Sequence, residues 1–219
     1  MNLPVLGVIL YSMEKIKIYY ADNDIAVCEK PQGVISQESP KPNMPRLLKE
    51  QLAVEMIYTV HRLDENTTGV MVYALNQKAA AVLSTQIQTG GFKKQYRAVL
   101  QGSLPEKAGR LQDLLFYDRQ KSKSYIVKRQ RKGVKNASLN YEVTAVKGGL
   151  TSVNIDLETG RTHQIRAQFA NLKAPVLGDG RYGSSEKTYI HLHCRKIEFT
   201  KPGGEKAVFE SPVPWEKEF

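Results

Sequence analysis

The stretch from residue 138 to residue 157 limits the fold more than any other. Residues 138–146 and 150–157 are strand-like runs, and only Lys147, Gly148 and Gly149 separate them. A parallel crossover needs a dozen or more residues, so this spacing predicts an antiparallel hairpin. Strand candidates at 15–20, 25–28, 58–60, 70–74, 94–100 and 189–199 accompany it, and most neighbouring candidates are joined by similarly short links. Helical spacing appears at 46–56, where Leu47, Leu48, Leu52 and Met56 recur, and at 162–172, where Ile165, Phe169 and Leu172 share a face. A third helix is predicted after Asn76, a good N-cap, and is stopped near Thr89 by Gly90 and Gly91. Residues 36–45 carry three prolines and read as a surface connection. The stretch between Gly102 and residue 137 shows no clear period. No repeat or linker interrupts the pattern. The expected fold is α+β: one domain over residues 1–219, with a mixed, mainly antiparallel central sheet and a few flanking helices.

Charge narrows the partners. The chain has 32 Lys and Arg against 22 Asp and Glu, a net charge of +10. Such a surplus attracts polyanions, and nucleic acid is the first candidate because each neutralised phosphate releases counterions. The densest basic stretch, from Arg119 to Lys135, holds eight Lys or Arg and no acid. With 41% hydrophobic and 25% charged residues, chain-wide disorder is excluded. Cys28 and Cys194 form no Cys-x-x-Cys pair or disulfide framework, which points to a reducing compartment. Residues 1–10 are apolar but contain Pro4 and lack a basic start, so they read as an edge strand or ordered arm rather than a signal peptide. No window approaches membrane-spanning length. A cytoplasmic location without membrane contact is expected.

Four segments could carry chemistry. His61-Arg62-Leu63-Asp64-Glu65 sits between two strand candidates, in a loop at the end of a sheet. Taken alone, an Arg-x-Asp loop is commonly a surface ion pair. Gly160-Arg161-Thr162-His163-Gln164-Ile165-Arg166 reads as a helix start, with Thr162 as its cap. His163 and Arg166 share a face, pointing away from the core toward RNA or a carboxylate. In Lys94-Gln95-Tyr96-Arg97-Ala98, strand alternation puts Lys94 and Tyr96 on one side, and a cleft tyrosine can stack on a base. His191 and His193 lie on one strand face, but a zinc site needs further ligands and only His61 and His163 remain among the histidines. No metal is therefore expected. A non-catalytic RNA-binding module would explain the charge and the aromatics, but not a carboxylate set among cations.

In chain order these segments resemble the RluA-type family of pseudouridine synthases. The matching parts are Asn23-Asp24-Ile25 with Lys30-Pro31-Gln32-Gly33, then His61-Arg62-Leu63-Asp64 with Thr67-Thr68-Gly69, then Lys94 to Ala98. Gly160 to Arg166 follows, with Gly178-Asp179 and Tyr182-Gly183. Thr68 stands where Ser is usual, keeping the hydroxyl, and Cys28-Glu29 stands where an apolar residue and Asn are common. The resemblance implies isomerisation of uridine in structured ribosomal or transfer RNA, with no cofactor and no obligate protein partner. It implies Asp64 as the carboxylate acting at the sugar, Arg166 as its ion-pair partner and Tyr96 stacked on the uracil. His61, Arg62, Arg161 and His163 would lie against the RNA, and Lys128, Arg129, Arg131 and Lys132 would grip its backbone. Many relatives carry an S4-type domain before the first motif. Only a short stretch precedes that motif here, so specificity is expected to come from the catalytic domain.

Overall fold

The computed structural model describes residues 15–218, whose strands join into one eleven-stranded sheet. The expected arm at residues 1–10 lies outside the described residues. The elements run β1 (Ile18–Ala21), β2 (Ile25–Lys30), α1 (Met44–Leu52), β3 (Tyr58–Thr59), β4 (Thr68–Ala74), α2 (Gln77–Thr89), β5 (Lys93–Gln101), β6 (Ala108–Asp118) and β7 (Lys123–Val127). They continue with β8 (Val134–Lys147), β9 (Leu150–Leu157), α3 (Gln164–Asn171), a 3-10 turn (Gly180–Tyr182), β10 (Leu192–Thr200) and β11 (Lys206–Glu210). The sheet order is β1-β2-β4-β10-β5-β9-β8-β6-β7, with β3 beside β4 and β11 beside β10. Among the described residues only β4 and β10 pair in parallel; the other pairs are antiparallel. The α+β class with a mainly antiparallel mixed sheet is what the hairpin spacing predicted.

Local signals placed some elements closely. Lys147 pairs with Leu150 across β8 and β9, and Gly148 and Gly149 both take positive φ (57° and 78°), as a tight turn of this hand requires. For α2, the Asn76 side chain accepts from the Ala79 N–H, and Gly90 closes the helix at φ 80°. Helix α1 begins earlier than expected because Asn43, not a residue nearer Arg46, caps it, accepting from the Arg46 N–H. It stops at Leu52, where Ala53 turns left-handed.

Two expectations are corrected. The stretch after Gly102, read as irregular, contains β6, β7 and the start of β8. They form the β8-β6-β7 end of the sheet, where β7 is the edge strand, and their charged residues hide the alternation. Helix α3 begins at Gln164, and Thr162 does not cap it. Instead the Gln164 side-chain carbonyl accepts from the Thr159 hydroxyl and the Arg161 N–H, turning the chain into the helix.

The core centres on β2 and β4. Residues 25–28 and 70–74 are buried on both faces, which explains their continuous apolar runs. Ala79 and Leu83 of α2 pack into the same core, and Phe169 of α3 meets Tyr141 edge-on. Gly69, at the start of β4, has φ 121°, and a Cβ there would lie 2.6 Å from the Cys194 nitrogen of β10. Backbone cannot yield as a side-chain tip can. Gly69→Ala is therefore expected to cost roughly 3 kcal/mol or more, from strain plus collision. Urea denaturation checks this; an unchanged midpoint would mean that β4 and β10 separate freely.

Candidate active site

A cleft of about 870 Å³ opens beside the N-terminus of β4, between the end of α2 and the start of α3. The Asp64 loop, the end of β9, the 159–166 segment, Lys94 and Tyr96 line it.

The Asp64 loop is tied from below. Lys30 is fully buried, and its ammonium donates to the carbonyls of Pro31, Val34 and Glu65 at 2.7–2.9 Å. Burial pushes Lys30 down to about 7, opposed by Asp64 and Glu65, while three carbonyls match the three N–H donors of the charged form. Ser36 adds two bonds, donating to the Leu63 carbonyl (2.7 Å) and accepting from the Leu63 N–H (3.0 Å). Thr67 N–H closes a turn on the Asp64 carbonyl. No sequence signal showed that Lys30 and Ser36 hold this loop, because they bind backbone groups distant in the chain.

Above the loop sits Arg166. The sequence placed it pointing away from the core; it is instead buried, 5% exposed. Its Nε and one terminal nitrogen donate to both Asp179 oxygens at 2.6 and 2.9 Å, and the other terminal nitrogen reaches Asp64 Oδ2 at 3.2 Å. Burial disfavours the guanidinium charge, but Asp179 and Asp64 outweigh it and raise the Arg166 pKa. Asp179, 1% exposed, is thus a site residue to which sequence reasoning gave no role. Its presence in the Gly178-Asp179 motif was the available signal. The paired fork fixes Arg166 geometrically, and the remaining donor aims at Asp64.

His163 adds a second contact. It holds φ 54°, a left-handed conformation uncommon outside glycine, and its Nε2 lies 3.9 Å from Asp64 Oδ2. Its Nδ1 is 3.0 Å from the Tyr182 hydroxyl. That hydroxyl also accepts from the Ser124 N–H; when it donates to Nδ1, the His163 proton sits on Nε2, facing Asp64. Burial, with Arg166 and Arg181, lowers His163 below the usual histidine range despite the pull of Asp64. Tyr182 also lies under the Arg166 guanidinium, 5.0 Å from ring centre to carbon.

Tyr96 projects from β5, buried, with its pKa driven far up by burial and then by Cys194 and Asp64. It remains a neutral phenol at any ordinary pH. Arg62 is exposed at the cleft mouth and touches Gln37. Arg161 is also exposed, and its Nε donates to the Asn136 carbonyl.

One placement differs from the sequence reading. His61, expected against RNA, is buried; its Nε2 accepts from the Val72 N–H and its ring packs on Phe92. Its Nδ1 is buried and has no hydrogen-bond partner among the described residues. Lys128, Arg129, Arg131 and Lys132 are exposed in the β7–β8 connection and do not line the cleft. His193 is taken up by Thr68 at Nδ1 (2.7 Å) and Ser211 at Nε2 (3.0 Å), and His191 packs against Trp215. The Thr68 hydroxyl therefore ties the exit of the Asp64 loop to β10.

These buried histidines make the fold acid-sensitive. Burial drives His61 down to about 3 and His193 to about 4, below the unfolded value near 6.5. Their contribution is fully present above about pH 6.5 and is lost as pH falls toward 4 and then 3. Urea midpoints are expected to stay flat from about pH 8 to 7 and to drop steadily below about 6. His193→Gln should reduce that slope; an equal slope would move the acid sensitivity elsewhere.

Known proteins share both the sequence pattern and the fold. A family profile described as RNA pseudouridylate synthase matches residues 24–171. The "Uncharacterized RNA pseudouridine synthase YhcT" of Bacillus subtilis is 30% identical over 213 residues, 91% of this chain and 69% of that protein. The "Ribosomal large subunit pseudouridine synthase D" of Xanthomonas campestris is 30% identical over 223 residues, 91% of this chain and 66% of that protein. The solved structure titled "Human RNA Pseudouridylate Synthase Domain Containing 1" has the same fold, with TM-score 0.79 at 22% identity, over 93% of this chain and 85% of that one. The motifs, the fold and these matches agree: the chain belongs to the RNA pseudouridylate synthase family, of RluA type, and is an isomerase acting on RNA.

Proposed function

We propose that Asp64 is the carboxylate that acts on the sugar of a uridine flipped out of structured RNA, and that Tyr96 and Arg166 complete the catalytic group. One observation carries this reading. A single Asp64 oxygen meets Arg166 at 3.2 Å, while Asp179 occupies the rest of the guanidinium. Asp64 is thereby aimed, and its side chain stays 23% exposed to the cleft.

The chemistry needs little else. The C1′–N1 bond breaks, the uracil turns, C5 bonds to C1′, the C5 proton leaves and N1 takes up a proton. No redox change and no net hydrolysis takes place, so the reaction calls for no cofactor. Hydrolytic glycosidases use two working carboxylates. Here Asp179 is sealed behind Arg166, Glu65 pairs with Lys41, and Glu158 is held down to about 2 by Arg110, Ser138 and Asn140. Tyr96 stacks on the uracil and keeps it in place while it turns. Arg62, Arg161 and His163 bound the flipped nucleotide, and the 128–132 turn holds RNA backbone outside the cleft. These contacts offset the few kcal/mol that base flipping costs. We propose a single catalytic domain acting in the cytoplasm; among the described residues no helix is long and apolar enough to cross a membrane.

Ribosomal RNA is the first substrate class, as the Xanthomonas relative's name suggests for that protein, with transfer RNA second. The test is pseudouridine mapping in total RNA from cells with and without the gene. A position that disappears with the gene and returns with the wild-type copy identifies the target. A map unchanged by loss of the gene would overturn the assignment.

A further inference from the structure

Lys94 is a cation of the cleft wall that this reading leaves unused. It lies on the same face of β5 as Tyr96, two residues away, and lines the cleft. Its side chain is half-buried, and burial lowers its pKa below the usual lysine range. Yet among the described residues no carboxylate stands within salt-bridge distance of it and no acceptor takes its hydrogens, whereas Arg97, Lys49 and Arg166 are all paired. Only the Cys194 thiol opposes that shift, and the ammonium in turn disfavours protonation of His61.

The chain makes room for this ammonium. Gly160, in the loop entering α3, has ordinary backbone geometry, so its glycine is not needed for a turn. A Cβ at that position would stand 3.1 Å from Lys94 Nζ. The missing side chain leaves Lys94 a place against Gly160, whose neighbour in the chain, Arg161, is exposed. A desolvated, unpaired cation is costly and is retained where a ligand supplies the opposite charge. In RNA before the reaction, the anionic groups are the phosphates; uracil is neutral until its bond to the sugar breaks.

We propose that Lys94, seated against Gly160, binds the phosphodiester adjoining the flipped uridine and so sets the depth to which the nucleotide enters the cleft. This rests on the assignment of Asp64 as the catalytic centre. It adds a specific backbone contact inside the cleft, distinct from the basic turn at 128–132.

The test uses the full chain carrying Asp64→Asn, so that binding is read without turnover, and a synthetic stem-loop RNA spanning the mapped target uridine. Adding Lys94→Met is expected to weaken binding about tenfold, the scale of one charged hydrogen bond. It should also reduce the slope of log affinity against log salt by roughly 0.7 to 0.9, one phosphate's worth. Lys94→Arg should keep most of the slope. Replacing the phosphodiester on one side of the uridine with an uncharged methylphosphonate should abolish the difference between proteins with and without Lys94→Met. Without RNA, Lys94→Met should raise the urea midpoint, because an unpaired cation is removed.

An unchanged affinity and slope, or an equal Lys94→Met loss on both methylphosphonate RNAs, would overturn the proposal. So would a lowered urea midpoint, which would make the ammonium a structural group. A Lys94→Met protein, otherwise wild type, that keeps its KM and loses kcat would also overturn it, placing the charge on the departing uracil instead. Failure of the underlying reading looks different: Asp64→Asn would itself retain activity.

Discussion

An Asp64→Asn protein is expected to fold, to bind RNA with near-normal affinity and to form no detectable pseudouridine. The loss in turnover should be roughly 10⁴-fold or more, as when the central group of a cooperating set is removed. The structure explains why folding should survive. Arg166 keeps both Asp179 oxygens, so removing the Asp64 charge does not strand a buried guanidinium. The loop keeps its bonds to Lys30 and Ser36, which engage its backbone rather than the carboxylate. Asn retains an oxygen that can accept from Arg166. A single-turnover assay on the mapped RNA, with binding measured in parallel, checks both halves. Activity within about tenfold of wild type would remove Asp64 from the chemistry. Lost binding with lost activity would instead make it an RNA contact.

The second large effect is expected at Asp179, which cannot touch the substrate. Asp179→Ala leaves Arg166 buried with its 3.2 Å bond to Asp64 as its one remaining ion pair. Breaking a buried ion pair from one side costs about 3–5 kcal/mol. The guanidinium should then swing toward Asp64 or toward water, and either movement spoils the aim of the carboxylate. Turnover should fall steeply even at a temperature where the protein remains folded. Asp179→Ala combined with Arg166→Met should recover much of the stability, because no charge is left unpaired, but none of the activity. That split separates positioning from folding: calorimetry follows one and single-turnover kinetics the other. If Asp179→Ala keeps normal kcat, Arg166 is held well enough by Asp64 and Tyr182 alone.

The two residues differ in how they could be found. Asp64 stands in a compact run of unusual residues, so His61-Arg62-Leu63-Asp64 could be singled out from the sequence alone. Asp179 lies 13 positions from Arg166 and 115 from Asp64 by residue number, and nothing in its immediate neighbourhood announces an ion pair. The same distinction separates the correct elements from the corrected ones. Helix α2 was legible to the residue because Asn76 and Gly90 act within one turn of the chain. Strands β6 and β7 were not, because their partners are one another and β8, and their solvent-facing charges obscure the alternation. His61 was legible as part of a motif but misread in role. Its burial comes from Phe92 and from the N–H of Val72, which only the folded sheet brings to it.

The hairpin-built α+β sheet, the capped central helix, the basic character and the candidate carboxylate could all be read from the chain of residues. Each depends on neighbours in that chain, or on composition, where period, turn geometry and charge act directly. The anchoring of the Asp64 loop by Lys30 and Ser36, the grip of Asp179 on Arg166, and the unpaired Lys94 over Gly160 came into view with the folded molecule. They depend on desolvation and on contacts between distant segments. Neither has a local signature, because the free energy of a buried charge is set by what the fold places around it.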